Sequence, residues 1–393
     1  MNKNWIHMTL ALAFMGLASC ASDEPNPEQM VTKVSATATQ TDFDKWLEHN
    51  FLKPYNINIQ YRLNNNELDP EAYITPVSYE QAIRFAHITK HACLEAYDEV
   101  TGSQLFVRSL FPKLLQLGGS HLYNMNGTID QGAAEGGRKI SIYGLNSVNL
   151  ENFDQISEMF HTMHHEFGHI QNQTKSFSQE YRAITPTQYQ GAQWSTYWAE
   201  LEGASTVDQT IRSEVKASNP SIQTFLDRYA ALTSDIERLT AELEDFFVTD
   251  AEAKQAELDA KTAEREALQT TFYASEEGKL WRRVNSQLAY YMNKSGYLDL
   301  NALRAGFISA YSTASPDEDF VEVQATYIME TPHTWETLLI LAGPGANAIK
   351  QKLAMVRAYL KTEWNIELDA LRDAVQRRHN NISTIDINSV AIK

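Results

Sequence analysis

The stretch His164-His165-Glu166-Phe167-Gly168-His169 narrows most what this 393-residue chain can fold into. His165 and His169 are four positions apart. If the segment is helical they stand one turn apart on one face, where both imidazoles can approach a single ion. The surroundings suit a helix from Asn152 to Gln173, because Met163, His164, Phe167, Gly168 and Ile170 flank the pair without acidic or strongly basic groups. Glu166 falls about 100° round the helix from His165, close enough to take a proton from a water at the site without being a ligand. Zinc in such a site supplies the Lewis acidity that brings the pKa of a water toward 7. Gly168 is read as keeping space free beside the metal, and His161 and His164 as outer or surface groups. A histidine pair at this spacing also recurs by chance in unrelated proteins, so the motif needs support from elsewhere in the chain.

A catalytic zinc takes three protein ligands, and two carboxylates are candidates for the third. Glu200 lies 31 residues after His169, and Glu318 lies 149 residues after it. Around Glu318 the sequence reads Ser315-Pro316-Asp317, a helix start, and Glu322 follows one turn later. One glutamate can then bind metal while the other holds a ligating imidazole by its second ring N–H. Glu318 is therefore favoured. The plain alternative is an acidic first turn that complements the helix dipole. His87 and His91 repeat the four-residue spacing, but Ile88 occupies the glutamate position, so they read as ordinary helix residues. No Gly-x-Ser-x-Gly occurs, and Ser213 to Lys216 forms Ser-x-x-Lys without partner motifs.

The first twenty residues carry an apolar run from about Met8 to Leu17 and end Leu17-Ala18-Ser19-Cys20. Residues 1–19 read as a secretory signal peptide and Cys20 as a lipidated cysteine, whose acyl chains would anchor the protein to a membrane. Residues 20–41, rich in Pro, Ser, Thr and acid, read as a flexible tether, and 42–393 as the globular domain. With Cys20 lipidated, Cys93 has no partner for a disulfide, and its apolar helical setting marks it as a buried inert thiol. A net charge of −17 argues against nucleic acid as a partner, since phosphate neutralisation needs clustered Lys and Arg.

Within the domain a short helix near Asp42 precedes a strand at 57–63 of alternating character, and 105–119 mixes helical and extended apolar runs. Residues 130–137, Asp-Gln-Gly-Ala-Ala-Glu-Gly-Gly, read as a glycine-rich loop before a strand at 138–144. From about 198 to 297 the pattern becomes helical and charged. Leu232, Ile236, Leu239, Leu243 and Phe246 form a narrow seam, and Thr249 with Glu252 forms a capping-box signature for a second helix. Two such helices joined by a short turn predict an antiparallel hairpin inserted into the domain. A solvated decoration is one reading of that arm and a scaffold for a partner is another.

Three quoted segments carry a resemblance: His164 to Phe177, Tyr189 to Trp194, and Gly306 to Glu322. Together with 43–62 and 349–378, they resemble the zinc-binding metallopeptidases of Bacteroidetes lipoproteins, also called substrate import-associated zinc metallohydrolase lipoproteins and often found beside SusC/SusD-type importers. Tyr311 to Glu322 also resembles the peptidase domain of anthrax lethal factor and related Pro-Pro endopeptidases. The resemblance implies an α+β, mainly helical fold of zincin type with a small sheet. It implies a zinc ion held by His165, His169 and Glu318, with Glu166 as general base, Tyr311 as hydrogen-bond donor to the oxyanion and Glu322 as orienter of a ligand histidine. The substrate would be a peptide or protein, paired along residues 138–144 as an edge strand. Its location would be the outer membrane, lipid-anchored through Cys20 and facing outward, with the acidic Ser22-Asp23-Glu24 resembling a surface-export signal. A departure is the separation of His169 from Glu318, longer than in those compact peptidases, which the helical region 198–297 would supply. The main alternative is a non-catalytic binding lipoprotein of an import system, with a structural or degenerate metal site.

Overall fold

A computed structural model describes residues 40–64, 73–123, 129–130, 132–135, 138–150, 152–201 and 203–392. The expected signal peptide, Cys20 and nearly all of the 20–41 tether lie outside the described residues. The chain divides into two units, Met1–Asp44 and Lys45–Lys393, and the features below lie in the second. No described helix is long and apolar enough to cross a membrane.

The fold is mainly helical with a small sheet. Strands β1 (Asn58–Gln60), β2 (Leu114–Leu117), β5 (Gly132–Glu135) and β6 (Lys139–Ile142) form one sheet in the order β1-β2-β6-β5, while β3 (Leu122–Tyr123) and β4 (Ile129–Asp130) pair separately. β1, β2 and β6 run parallel, and β5 is antiparallel to β6. This corrects the expectation of 138–144 as an edge strand. β6 is interior and buried at all four positions, including Lys139 and Ser141, because parallel strands are covered on both faces. The edges are β1 and, beside β6, β5, which lies in the stretch expected to be a loop. Gly132 lets it lie against the histidine helix, since a Cβ there would meet the Thr162 methyl at 2.7 Å.

Helices of ten residues or more follow in order as α1 (Tyr79–Ile88), α2 (Phe153–Thr174), α3 (Val207–Ser218), α4 (Pro220–Glu244), α5 (Ala251–Ala274), α6 (Glu276–Lys294), α7 (Pro316–Met329), α8 (Pro332–Ala342), α9 (Ala346–Trp364) and α10 (Leu368–Asn380). α4 and α5 form an antiparallel pair: Arg228 bonds Glu264, Lys261 bonds Asp235 and Lys254 bonds Glu242, with the Phe225 and Phe272 rings stacked at 3.8 Å. Leu232 and Leu239 are buried in that seam, but Phe246 is 93% exposed, because α4 stops at Glu244 and Asp245 turns to extended backbone. Nor does Thr249 cap α5. The position before Ala251 is Asp250, in the left-handed region at φ 61° with no side-chain cap, so the capping box does not form.

α2 has two buried faces of opposite chemistry. Phe160, Met163 and Phe167 enter the core, where Phe167 meets Tyr97 and Phe111. His164 lies on that side too, fully buried, with its Nδ1 3.0 Å from the Tyr97 hydroxyl, and is not a surface group. The spacing of four places His161, His165 and His169 on the other side, against α7. Gly168 serves this helix pairing, not the metal: a Cβ there would meet Val321 of α7 at 2.9 Å. Cys93 is buried, and burial raises its thiol pKa far above the ordinary range, so it is inert.

His379 of α10, 2% exposed, packs edge-on to Phe160 at 5.1 Å. Burial, with His91 adding to it, lowers its pKa from 6.5 to about 4. Below 6.5 the unfolded chain takes up a proton here that the folded chain refuses until about pH 4. Stability therefore falls as pH drops through that window, by up to about 1.4 kcal/mol per pH unit for this one group. His379→Asn is expected to flatten the decline in urea midpoint between pH 6.5 and 4.5. An equally steep decline in the variant would contradict this.

Candidate metal centre

α7 starts where the sequence indicates. The Ser315 hydroxyl accepts from the Glu318 amide at 3.1 Å and Pro316 occupies the first turn, which fixes the direction of Glu318. α2 and α7 run antiparallel, so residues pair in rungs: His169 with Glu318, His165 with Glu322, His161 with Thr326. Glu318 Oε2 lies 3.1 Å from His165 Nε2 and 3.2 Å from His169 Nε2, and the two imidazole nitrogens are 3.1 Å apart. Among the described residues these three form the group able to hold a metal ion. Glu200, the other candidate, caps the Trp194–Ala199 helix on the exposed surface and is not brought to the cluster.

The chemistry of the donors is what identifies the group. Glu322 is held below the ordinary carboxylate range, to about 2, because His161, His165 and Ser309 outweigh the upward push of burial. As an anion it can only accept, so His165 Nδ1–H donates to Glu322 Oε1 at 2.8 Å, which aims His165 Nε2 at a carboxylate oxygen and a second imidazole nitrogen. A proton on either Nε2 serves one edge of the triangle at a time, whereas one cation at its centre satisfies all three. Four ligands at about 2.0–2.1 Å from zinc stand roughly 3.3 Å apart in a tetrahedron, close to the observed edges. The electrostatics agree. Burial alone would lower His165, but Glu318 and Glu322 outweigh it and raise its pKa to about 10. Glu318 is held well below the ordinary range by the two imidazoles despite its burial. The surroundings thus favour positive charge at that point.

Glu322 is braced from behind. Ser309 Oγ donates to its Oε2 at 3.0 Å, and Ser309 and Ser312 bond each other. Nothing in the sequence singled out either serine. Glu322→Ala is expected to weaken zinc binding ten- to a hundredfold in chelator competition, and an unchanged affinity would remove its role as orienter.

Tyr311, on the short turn before α7, lies 39% exposed with its ring 6.1 Å from that of His165 and edge-on to Trp194 at 5.4 Å. Burial and the charge of the neighbouring Glu318 raise its pKa far above the ordinary value, so it stays a donor. Glu166 is half-buried, and its charge is felt at both His165 and Tyr311. His87 and His91 form no second centre. His87 Nε2 meets the Ser389 carbonyl and His91 faces Glu95.

The family model described as "Putative zinc-binding metallo-peptidase" matches residues 36–369. The chain belongs to this family. A solved structure of similar description, a putative zinc-binding metallo-peptidase from Bacteroides caccae ATCC 43185, is 26% identical, with a TM-score of 0.55, over 89% of this chain and 96% of that one. No curated protein matches the chain. Family membership and the converging donors support a zinc metallohydrolase, and at a coarse level a peptidase.

Proposed function

We propose that the protein is a zinc-dependent peptidase of gluzincin type, in which His165, His169 and Glu318 hold the ion. The observation that carries this reading is the triangle of three lone-pair donors with 3.1–3.2 Å edges, one corner oriented by Glu322. Bound zinc would supply Lewis acidity toward a water and a carbonyl. Glu166 takes the proton of the attacking water and delivers it to the departing amine. Tyr311, kept protonated, donates a hydrogen bond to the developing oxyanion, a kind of contact worth several kcal/mol. β5, as the sheet edge beside α2, offers backbone groups to an extended peptide.

The Leu17-to-Cys20 pattern and the acidic Ser22-Asp23-Glu24 support a lipid-anchored protein on the outer membrane. There the family resemblance suggests association with a SusC/SusD-type importer. The direct test of catalysis is metal dependence. Purified protein should carry one zinc per chain, lose peptide cleavage on chelation and regain it with zinc. Stoichiometric zinc without cleavage of any peptide would favour the binding-lipoprotein alternative.

A further inference from the structure

We propose that the cavity next to the metal centre is a subsite for a basic side chain, lysine or arginine, flanking the scissile bond; this rests on the peptidase reading above. The rungs between α2 and α7 set its position. After His169–Glu318 and His165–Glu322, the third rung is His161–Thr326, bonded at 3.1 Å, about one helical turn or 5.4 Å further along. At that rung a cavity of about 350 Å³ opens, closed on its third side by α6. An extended peptide advances about 3.3 Å per residue, so the cavity receives a side chain one or two residues from the carbonyl at the ion. Its volume suits one long side chain.

The lining selects the charge of that side chain. Four carboxylates face the cavity, Glu158, Asp299, Glu322 and Glu330, against one ammonium, Lys294. Lys294 is already engaged: its Nζ is 3.6 Å from Glu158 Oε1 and donates to the Tyr290 hydroxyl at 3.1 Å. Burial, reinforced by Lys294 and His165 and only partly offset by Glu322, keeps the remaining basic group, His161, neutral, with a pKa lowered to about 4. Asp299 and Glu322, 9% and 8% exposed, form the buried part of the lining, while Glu158 and Lys294 stand at the more exposed part. Burial pushes the Asp299 pKa up, and an incoming cation would offset that penalty. Tyr291 and Met329, both buried, supply apolar surface for the methylene stem. An anionic guest would meet like charge, and an apolar one would gain nothing from the carboxylates.

The test uses the zinc-loaded full chain with a mixed peptide library, its cut sites read by mass spectrometry. Lysine or arginine should be enriched at one position within two residues of the cut. In Glu158→Gln/Glu330→Gln the kcat/KM ratio of an arginine peptide over its norleucine counterpart should fall roughly tenfold, with zinc content kept. A flat profile, an acidic or apolar preference, or a ratio unmoved by the double substitution overturns the subsite while leaving the peptidase standing. If the zinc-loaded protein cuts nothing, the peptidase reading fails and binding judges the cavity. Nα-acetyl-arginine methylamide should then bind several-fold more tightly than its norleucine analogue, and lose that advantage in the double variant. Equal binding overturns the proposal.

Discussion

Glu166→Gln is expected to retain one zinc per chain at unchanged affinity while peptide turnover falls about a hundred- to ten-thousand-fold. Glu166 is not one of the three residues whose donor atoms converge, so its loss should not touch the ion. It nevertheless stands beside His165 in sequence, and its charge acts on both His165 and Tyr311, which places it at the reacting face. Glutamine keeps the volume and the hydrogen-bonding reach but cannot take a proton at neutral pH. Metal analysis together with kcat on one peptide separates the outcomes. Loss of zinc along with turnover would make Glu166 part of a structural ion site. Retention of both would remove it from the chemistry.

The candidate trio His165, His169 and Glu318 is legible because its signals are local. His165 and His169 need only helical spacing, and Glu318 is announced by its own helix start, Ser315-Pro316, realised as a side-chain cap on the Glu318 amide. The Glu322 partner followed from the same one-turn spacing. What was not legible depends on tertiary context. The sheet edge β5 is built from Gly132, Ala133 and Ala134, residues with none of the β-branched character that marks a strand, whereas the strand that the family resemblance implied as the edge is interior. Gly168 was assigned to the metal because it neighbours a ligand. Its real constraint is Val321, 153 positions away in sequence. Ser309 and Trp194 carry no residue-level signal of their roles, since each acts through contacts that only the folded turn before α7 brings together. The α4–α5 hairpin was readable from its seam, but its end was not, because the break after Glu244 carries neither glycine nor proline.

A second large effect is expected where no sequence signal pointed. Lys352 of α9 and Asp319 of α7 are both fully buried, with Nζ 2.7 Å from Oδ2. Lys352 also donates to the Gly306 carbonyl at 2.8 Å and lies over the Phe307 ring at 3.6 Å, while Tyr189 donates to the same Asp319 oxygen at 2.9 Å. Burial works against both charges, raising the Asp319 pKa to about 6 and lowering that of Lys352. Each therefore depends on the other. Lys352→Met should cost about 3–5 kcal/mol, the range for stranding one partner of a buried pair, seen as a lower urea midpoint with the slope preserved. Replacing both, Lys352→Met with Asp319→Leu, should recover part of the loss, because the double variant strands no charge. A single variant costing under about 1 kcal/mol would mean that water or Tyr189 already compensates Asp319. Because Asp319 directly follows Glu318, the single variant should also weaken zinc binding by disturbing the first turn of α7. Recovery of both stability and zinc affinity in the double variant would show that the ion pair acts by holding that turn in place and contributes no charge to the metal centre.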